Sequence, residues 1–224
     1  MKTDMENRAL FDFSHTAAGD FLQKLTYPHE ALPLIGEWIL TIGAGLDETL
    51  YDHPAADVWI AKTAKVAPTA SITGPCIIGG ETEVRHCAFI RGNALIGCGA
   101  VVGNSTELKN VILFDGVQVP HYNYVGDSIL GYRAHMGAGA VTSNVKGDKT
   151  PVVIHGADAE IETGRKKVGA MLGDFAEIGC GCVLNPGTVI GRGTSVYPLS
   201  SVRGFVPAGS IYKSKDQVVV RKKQ

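Results

Sequence analysis

Every sixth residue from Ile60 is apolar: Ile60, Val66, Ile72, Ile78, Val84, Ile90, Ile96, Val102, Leu108 and Phe114 give ten consecutive matches. With 45% of the chain hydrophobic, chance would produce such a run in roughly one of a few thousand trials, so the period is an internal repeat. Two places before each beat from Val66 to Leu108 stands a small residue: Ala64, Ala70, Cys76, Thr82, Ala88, Ala94, Ala100 and Thr106. The beat returns at Leu130 and Met136 and again at Leu172, Ile178, Leu184, Ile190, Val196 and Val202.

A period of six is even, so one short strand can turn its small and its large residue to the same side before the chain bends into the next strand. Three such faces close one coil of about 18 residues, and stacked coils make a mainly-β, single-stranded parallel β-helix. Gly79, Gly97 and Gly103 follow beats, as corners needing positive φ or a close backbone approach require. Cys76 and Cys182 occupy the small inward slot, which reads as packing in preference to metal binding. The five cysteines have no framework spacing and fit a reducing compartment.

The chain has 224 residues, room for one domain with an appendage. Residues 1–56 lie ahead of the repeat and read as a helical cap and linker, with helices over 20–25 and 28–40 covering the open end of the solenoid. The β-helix is expected over 57–210, with an external loop near 145–167, and residues 211–224 as a C-terminal tail in which QVVVR (217–221) reads as a closing strand. A net charge of -1 offers no general attraction to nucleic acid or acidic membranes, and the basic cluster Arg221, Lys222 and Lys223 reads as a solvated tail. No signal-type or membrane-spanning run is present, so a cytoplasmic protein is expected.

The rhythm slips first near His121. Counting on from Phe114 gives Pro120 and Gly126, yet the next secure beats are Leu130 and Met136, and the disturbed stretch holds His121, Tyr122, Asn123 and Tyr124. A second departure runs from Asn144 to Val168, an excursion of the kind that carries binding residues. A lone loop histidine is more often structural than catalytic. From the residues alone, Arg91 and Lys109 read first as an exposed ridge pairing with Glu107 and Asp115.

VPHYNYVGDSILGYRAHMGAGAVTSNVKG (119–147), with RGNALIGCGAVVGNSTELKN (91–110) in constant register upstream, resembles the acetyltransferase half of the bifunctional UDP-N-acetylglucosamine pyrophosphorylase/glucosamine-1-phosphate N-acetyltransferases. The block at 169–207 looks more like the β-helical half of archaeal-type sugar-1-phosphate nucleotidyltransferases. The resemblance implies a left-handed β-helix, a homotrimer, acetyl-CoA as co-substrate and an amino-sugar phosphate as acceptor. It places the base on His121 and acceptor contacts on Arg91, Glu107, Lys109, Tyr124, His135 and Asn144, and implies that Arg91, Lys109 and His121 converge on one wall of neighbouring coils. Coenzyme contacts fall on Asn144, Cys180 and Tyr197, and no metal is implied. An amino-sugar phosphate needs cations for its phosphate and a base for its amine, which these residue types supply.

Three positions depart from the pattern: His135 replaces an asparagine, Val145 an aromatic, and Tyr197-Pro198 a small pair whose second residue would offer an amide hydrogen. No glycine-rich nucleotide loop is present, and 56 residues are too few for a Rossmann-like domain, so nucleotidyl transfer is not expected. Two other readings stand beside the acetyltransferase. One is a non-catalytic sugar-nucleotide-binding or assembly module, for which His135 and Pro198 argue. The other is a β-helical carbonic anhydrase, for which His86, His121, His135 and His155 are too scattered.

Overall fold

The computed structural model describes residues 2–221, so Lys222 and Lys223 of the basic C-terminal cluster lie outside the described residues. The chain forms a single-stranded left-handed parallel β-helix with short helices at its N-terminal end. Three walls run its length. The first carries strands such as Val101–Asn104, Gln118–His121 and His135–Met136 and is closed by the antiparallel pair Ser210–Ser214 and Gln217–Val220. The second carries Phe89–Ile90, Val141–Thr142 and Val183–Leu184, and the third Cys76–Ile78, Ala94–Ile96 and Ala170–Leu172. Glu107–Leu113 and Tyr124–Leu130 run unbroken from the second wall into the third.

Beat residues stack inward, coil on coil. Ile78, Ile96, Leu113, Leu130, Leu172 and Ile190 form one such column on the third wall, all fully buried. Ala88, Ala100, Ala134, Ala176 and Cys182 fill the small slots and are buried as well. Burial pushes the Cys76 thiol up to about 12, so it stays a protonated, unreactive filler. Gly79, Gly97 and Gly103 serve close approach, since the positive-φ glycines are others, such as Gly99 and Gly116. A Cβ on Gly103 would overlap the carbonyl oxygen of Pro120 in the next coil.

Strand pairing locates the slip in the six-residue period. From the second wall to the third the chain takes six residues between Ile72 and Ile78 and between Ile90 and Ile96. It takes only five between Leu108 and Leu113 and between Val125 and Leu130. Two successive coils have each lost one residue at the same corner. The sequence count placed the disturbance at His121, but the deletions are at Lys109-Asn110 and Gly126-Asp127, where Asn110 and Asp127 take positive φ. Leu113 is the inward residue, and Phe114 packs against Phe11 with ring centroids 5.0 Å apart. In the third coil this corner opens into the excursion, whose antiparallel hairpin pairs Val153–His155 with Glu160–Glu162.

The third wall is apolar on its outer side too. Ile77, Leu95, Ile112, Ile129, Met171 and Val189 point away from the axis, next to the inward column, and all are buried. The N-terminal segment packs on the strands that carry Ile77, Leu95, Ile112 and Ile129, and the hairpin strand Val153–His155 packs on Thr188–Ile190. Helix Ile35–Gly43 buries Ile35 and Ile39 against this wall, while Asp12 and Asp174 tie the segment to a later coil through a 2.7 Å hydrogen bond from the Asp12 amide. Residues 1–56 thus lie mainly along the flank, where a stripe of exposed apolar side chains is the larger surface to hide, while strand Tyr51–Ala55 pairs antiparallel with Val58–Ala61 and ends the third wall at its open edge. Helices form at Gly19–Leu22 and Ile35–Gly43, with a 3-10 turn at Pro28–Ala31.

His29 sits in this cover with its Nδ1 buried and unpartnered, stacked on Tyr27 with centroids 5.9 Å apart. Burial pushes its pKa below the usual 6.5, with Glu30 opposing and Arg165 reinforcing the shift. Because the folded pKa lies below the unfolded one, the stabilisation is present above about pH 6.5 and is lost as pH falls below it. Thermal unfolding between pH 7.5 and 5.5 should show stability falling by up to about 1.4 kcal/mol per pH unit, and His29→Gln should remove that slope. Equal slopes in both proteins would contradict the assignment.

Candidate functional site

The coil register brings four of the sequence-identified residues onto the second wall. Phe89 pairs with Glu107 and Ile90 with Leu108, so Arg91 stands one coil before Lys109 in the same row. Glu107 pairs with Tyr124, and Tyr124 with Val141. Arg91 Nη1 donates to Glu107 Oε1 at 2.6 Å, an exposed pair that raises the guanidinium pKa. The ridge reading is therefore half realised, since Asp115 instead accepts from the Cys98 amide at 2.7 Å.

Lys109 has another acid, one the sequence reading did not single out. Its Nζ lies 3.5 Å from Asp127 Oδ2, a carboxylate only 4% exposed. Asp127 also accepts from Asn110 Nδ2 at 2.9 Å and from Asn144 Nδ2 at 2.6 Å. Asn144 in turn approaches the Tyr124 hydroxyl at 3.2 Å, and Asn110 donates to the Leu32 carbonyl at 3.2 Å. Burial pushes the Tyr124 phenol above its usual pKa, an effect that the Asp127 and Glu107 charges reinforce, so it remains a hydroxyl donor. The short corners thus create a polar knot that fixes Lys109, Tyr124 and Asn144 together. A six-residue beat followed by two five-residue steps, each centred on Asn or Asp, was the available signal.

His121 does not share that wall. It ends strand Gln118–His121 on the first wall, and only Tyr122 and Asn123 separate it from strand Tyr124–Leu130 on the second. The expectation that Arg91, Lys109 and His121 share one face is corrected: the histidine flanks the face at its corner. Tyr122 takes φ +52 there, and buried Asn123 donates to the carbonyls of Gly137 at 2.9 Å and Ala140 at 3.0 Å, pinning the turn to the next coil. The imidazole is exposed and has no hydrogen-bond partner among the described residues.

The corner continues as a column. Gly139 N donates to His121 O, Gly181 N to Ala138 O, and Leu199 N to Cys180 O, so His121, Ala138, Cys180 and Pro198 follow one another coil by coil. Exposed Tyr197 adjoins this column, its carbonyl accepting from the Cys182 thiol at 3.1 Å. His135 is elsewhere: it pairs with Gln118 in the interior of the first wall and its Nδ1 lies 2.9 Å from Glu177. Among the described residues no group of three His, Cys, Asp or Glu side chains is placed to hold a metal ion.

A family described as the GMPPB C-terminal domain matches residues 72–172. The bifunctional protein GlmU of Methanococcus maripaludis strain C5 is 32% identical over 137 residues, covering 61% of this chain and 33% of that protein. The putative uncharacterized acetyltransferase YaiX of Escherichia coli K12 is 28% identical over 173 residues, covering 77% of this chain and 75% of that one. Among solved structures, PerB from Caulobacter crescentus in complex with CoA and GDP-perosamine matches 74% of this chain and 57% of its own, with 17% identity and a TM-score of 0.39. The chain spans less than half of the GlmU proteins it matches, from 29% of one to 44% of another.

The polar knot has an energetic consequence. Asp127→Ala would leave a half-buried ammonium and two amide donors without their acceptor, and should cost about 3 kcal/mol of stability. Glu107→Gln, at an exposed pair, should leave the urea midpoint nearly unchanged. An Asp127→Ala midpoint equal to that of the wild type would show that the knot does not hold the corner.

Proposed function

We propose that this chain, a hexapeptide-repeat β-helix protein related to the GlmU proteins, moves an acetyl group from acetyl-CoA to the amine of an amino-sugar phosphate or sugar nucleotide. The observation that carries the reading is an unpartnered imidazole facing solvent one corner away from two stacked cations, Arg91 and Lys109. Each cation is held by a carboxylate, Glu107 or Asp127, and presents remaining donors to a phosphate.

With the phosphate on Arg91 and Lys109, the sugar amine faces the His121 corner. His121 takes a proton from the amine, whose nitrogen lone pair attacks the thioester carbon. The C–N bond forms, the C–S bond breaks, and the coenzyme thiolate receives the proton. Such base catalysis is typically worth about 100- to 10,000-fold. Tyr124 and Asn144 orient the sugar, and Cys180 and Tyr197, further along the His121 column, border the coenzyme path. The molecule works as a homotrimer whose neighbouring prism closes that path. No helix among the described residues is long and apolar enough to cross a membrane.

A second reading, a sugar-nucleotide-binding module without catalysis, is favoured by Pro198, which occupies the column without an amide hydrogen. Coenzyme affinity separates the two. The acetyltransferase should release free thiol from acetyl-CoA in the presence of glucosamine-1-phosphate or a close relative, and His121→Ala should lower that rate at least about 100-fold with an unchanged circular dichroism spectrum. Equal rates would remove His121 from its role, and no measurable CoA binding would favour the module.

A further inference from the structure

The excursion at residues 145–167 returns along Gly164, Arg165, Lys166 and Lys167 and forms one side of a groove of about 570 Å³. Lys109, Asn110 and Asp127 lie on the other side. Four cations therefore face one carboxylate, and that carboxylate is already shared by Lys109, Asn110 and Asn144. Arg165, Lys166 and Lys167 form no salt bridge among the described residues, and Arg165 Nε is buried with no acceptor. Buried donors are nearly always satisfied, and three adjacent cations repel one another unless an anion joins them.

The hairpin is fixed in place. Val145 and Lys167 form an antiparallel bridge, the Val168 amide donates to the Asn144 carbonyl at 3.0 Å, and the Gly169 amide donates to the Asp127 carbonyl at 2.8 Å. The basic run is thus tied to the same two residues that organise Lys109. Arg91 does not line this groove, whereas Lys109 belongs both to it and to the Arg91 row.

We propose that the groove binds the second phosphate of a diphosphate, the first lying between Arg91 and Lys109, so that the acceptor is a diphosphate-linked amino sugar in preference to a monophosphate. This rests on the acceptor position given above. Coenzyme A also carries a diphosphate, but Cys180 and Tyr197 border the opposite edge of the second wall, at the His121 corner, while the groove lies at the corner leading to the third wall.

The test is calorimetric titration of the full chain and of a Lys166→Gln/Lys167→Gln double variant with inorganic phosphate, pyrophosphate, UDP and CoA. Both lysines are exposed, so the variant should keep the circular dichroism spectrum and urea midpoint of the wild type. The wild type should bind pyrophosphate at least about tenfold more tightly than phosphate. The variant should lose that preference and weaken for UDP by at least about tenfold, with CoA affinity unchanged. Equal wild-type affinities for phosphate and pyrophosphate, or a variant that keeps the preference, would overturn the proposal. Loss of CoA affinity with UDP affinity retained would give the groove to the coenzyme and equally overturn it. These readouts are independent of thiol release: absence of acetyl transfer with the titration pattern intact would sink the catalytic reading alone.

Discussion

Backbone hydrogen bonds between consecutive coils decide which side chains stack in this molecule. Once Ile90 is paired with Leu108 and Ile96 with Leu113, the two columns are separated by one residue fewer in the later coil, and only the corner between them can absorb the loss. A solenoid tolerates this because each coil contacts mainly its neighbours. The loss is repeated in the next coil, so the two short corners stack and place Asn110 and Asp127 together in the left-handed backbone region. Those two residues then gather Lys109 and Asn144, and the third coil uses the same corner to launch its hairpin. One geometric change in a regular scaffold thus brings Lys109, Tyr124, Asn144 and the basic run to one place.

A second constraint is hydrophobic. The third wall alternates poorly: strands such as Cys76–Ile78, Ala94–Ile96 and Ala170–Leu172 are buried at every position. Burial of the outer side chains is worth roughly 1.5–3 kcal/mol for each large aliphatic residue, which gives the N-terminal segment its place along the flank. The cover also reaches the site, since the Leu32 carbonyl accepts from Asn110 and His29 lies near Arg165.

Much of this was legible in the sequence, and the rest fails for physical reasons. The period, the inward cysteines and the Arg91 to Lys109 row follow from counting, because stacked coils convert sequence spacing directly into spatial columns. Counting through Phe114 hid the first deletion, since that residue is also apolar and also buried, against Phe11 instead of the axis. Asp127 escaped notice because its role depends on a corner conformation that periodicity does not encode. The flank position of the cover was signalled by runs such as CII, ALI and AML, which depart from the inward and outward alternation of a wall facing water. His121 was assigned to the shared face because six-residue phase alone does not say on which side of a corner a residue falls.

The central claim is that one corner of the second wall grips an anion while the histidine at the other faces the attached amine. The most direct measurement is diffraction from crystals grown with an amino-sugar phosphate and CoA. The account predicts a phosphate hydrogen-bonded to both Arg91 and Lys109, with the sugar nitrogen within hydrogen-bonding reach of the His121 imidazole. A sugar bound with its phosphate away from both cations, or with its nitrogen turned from His121, would contradict it.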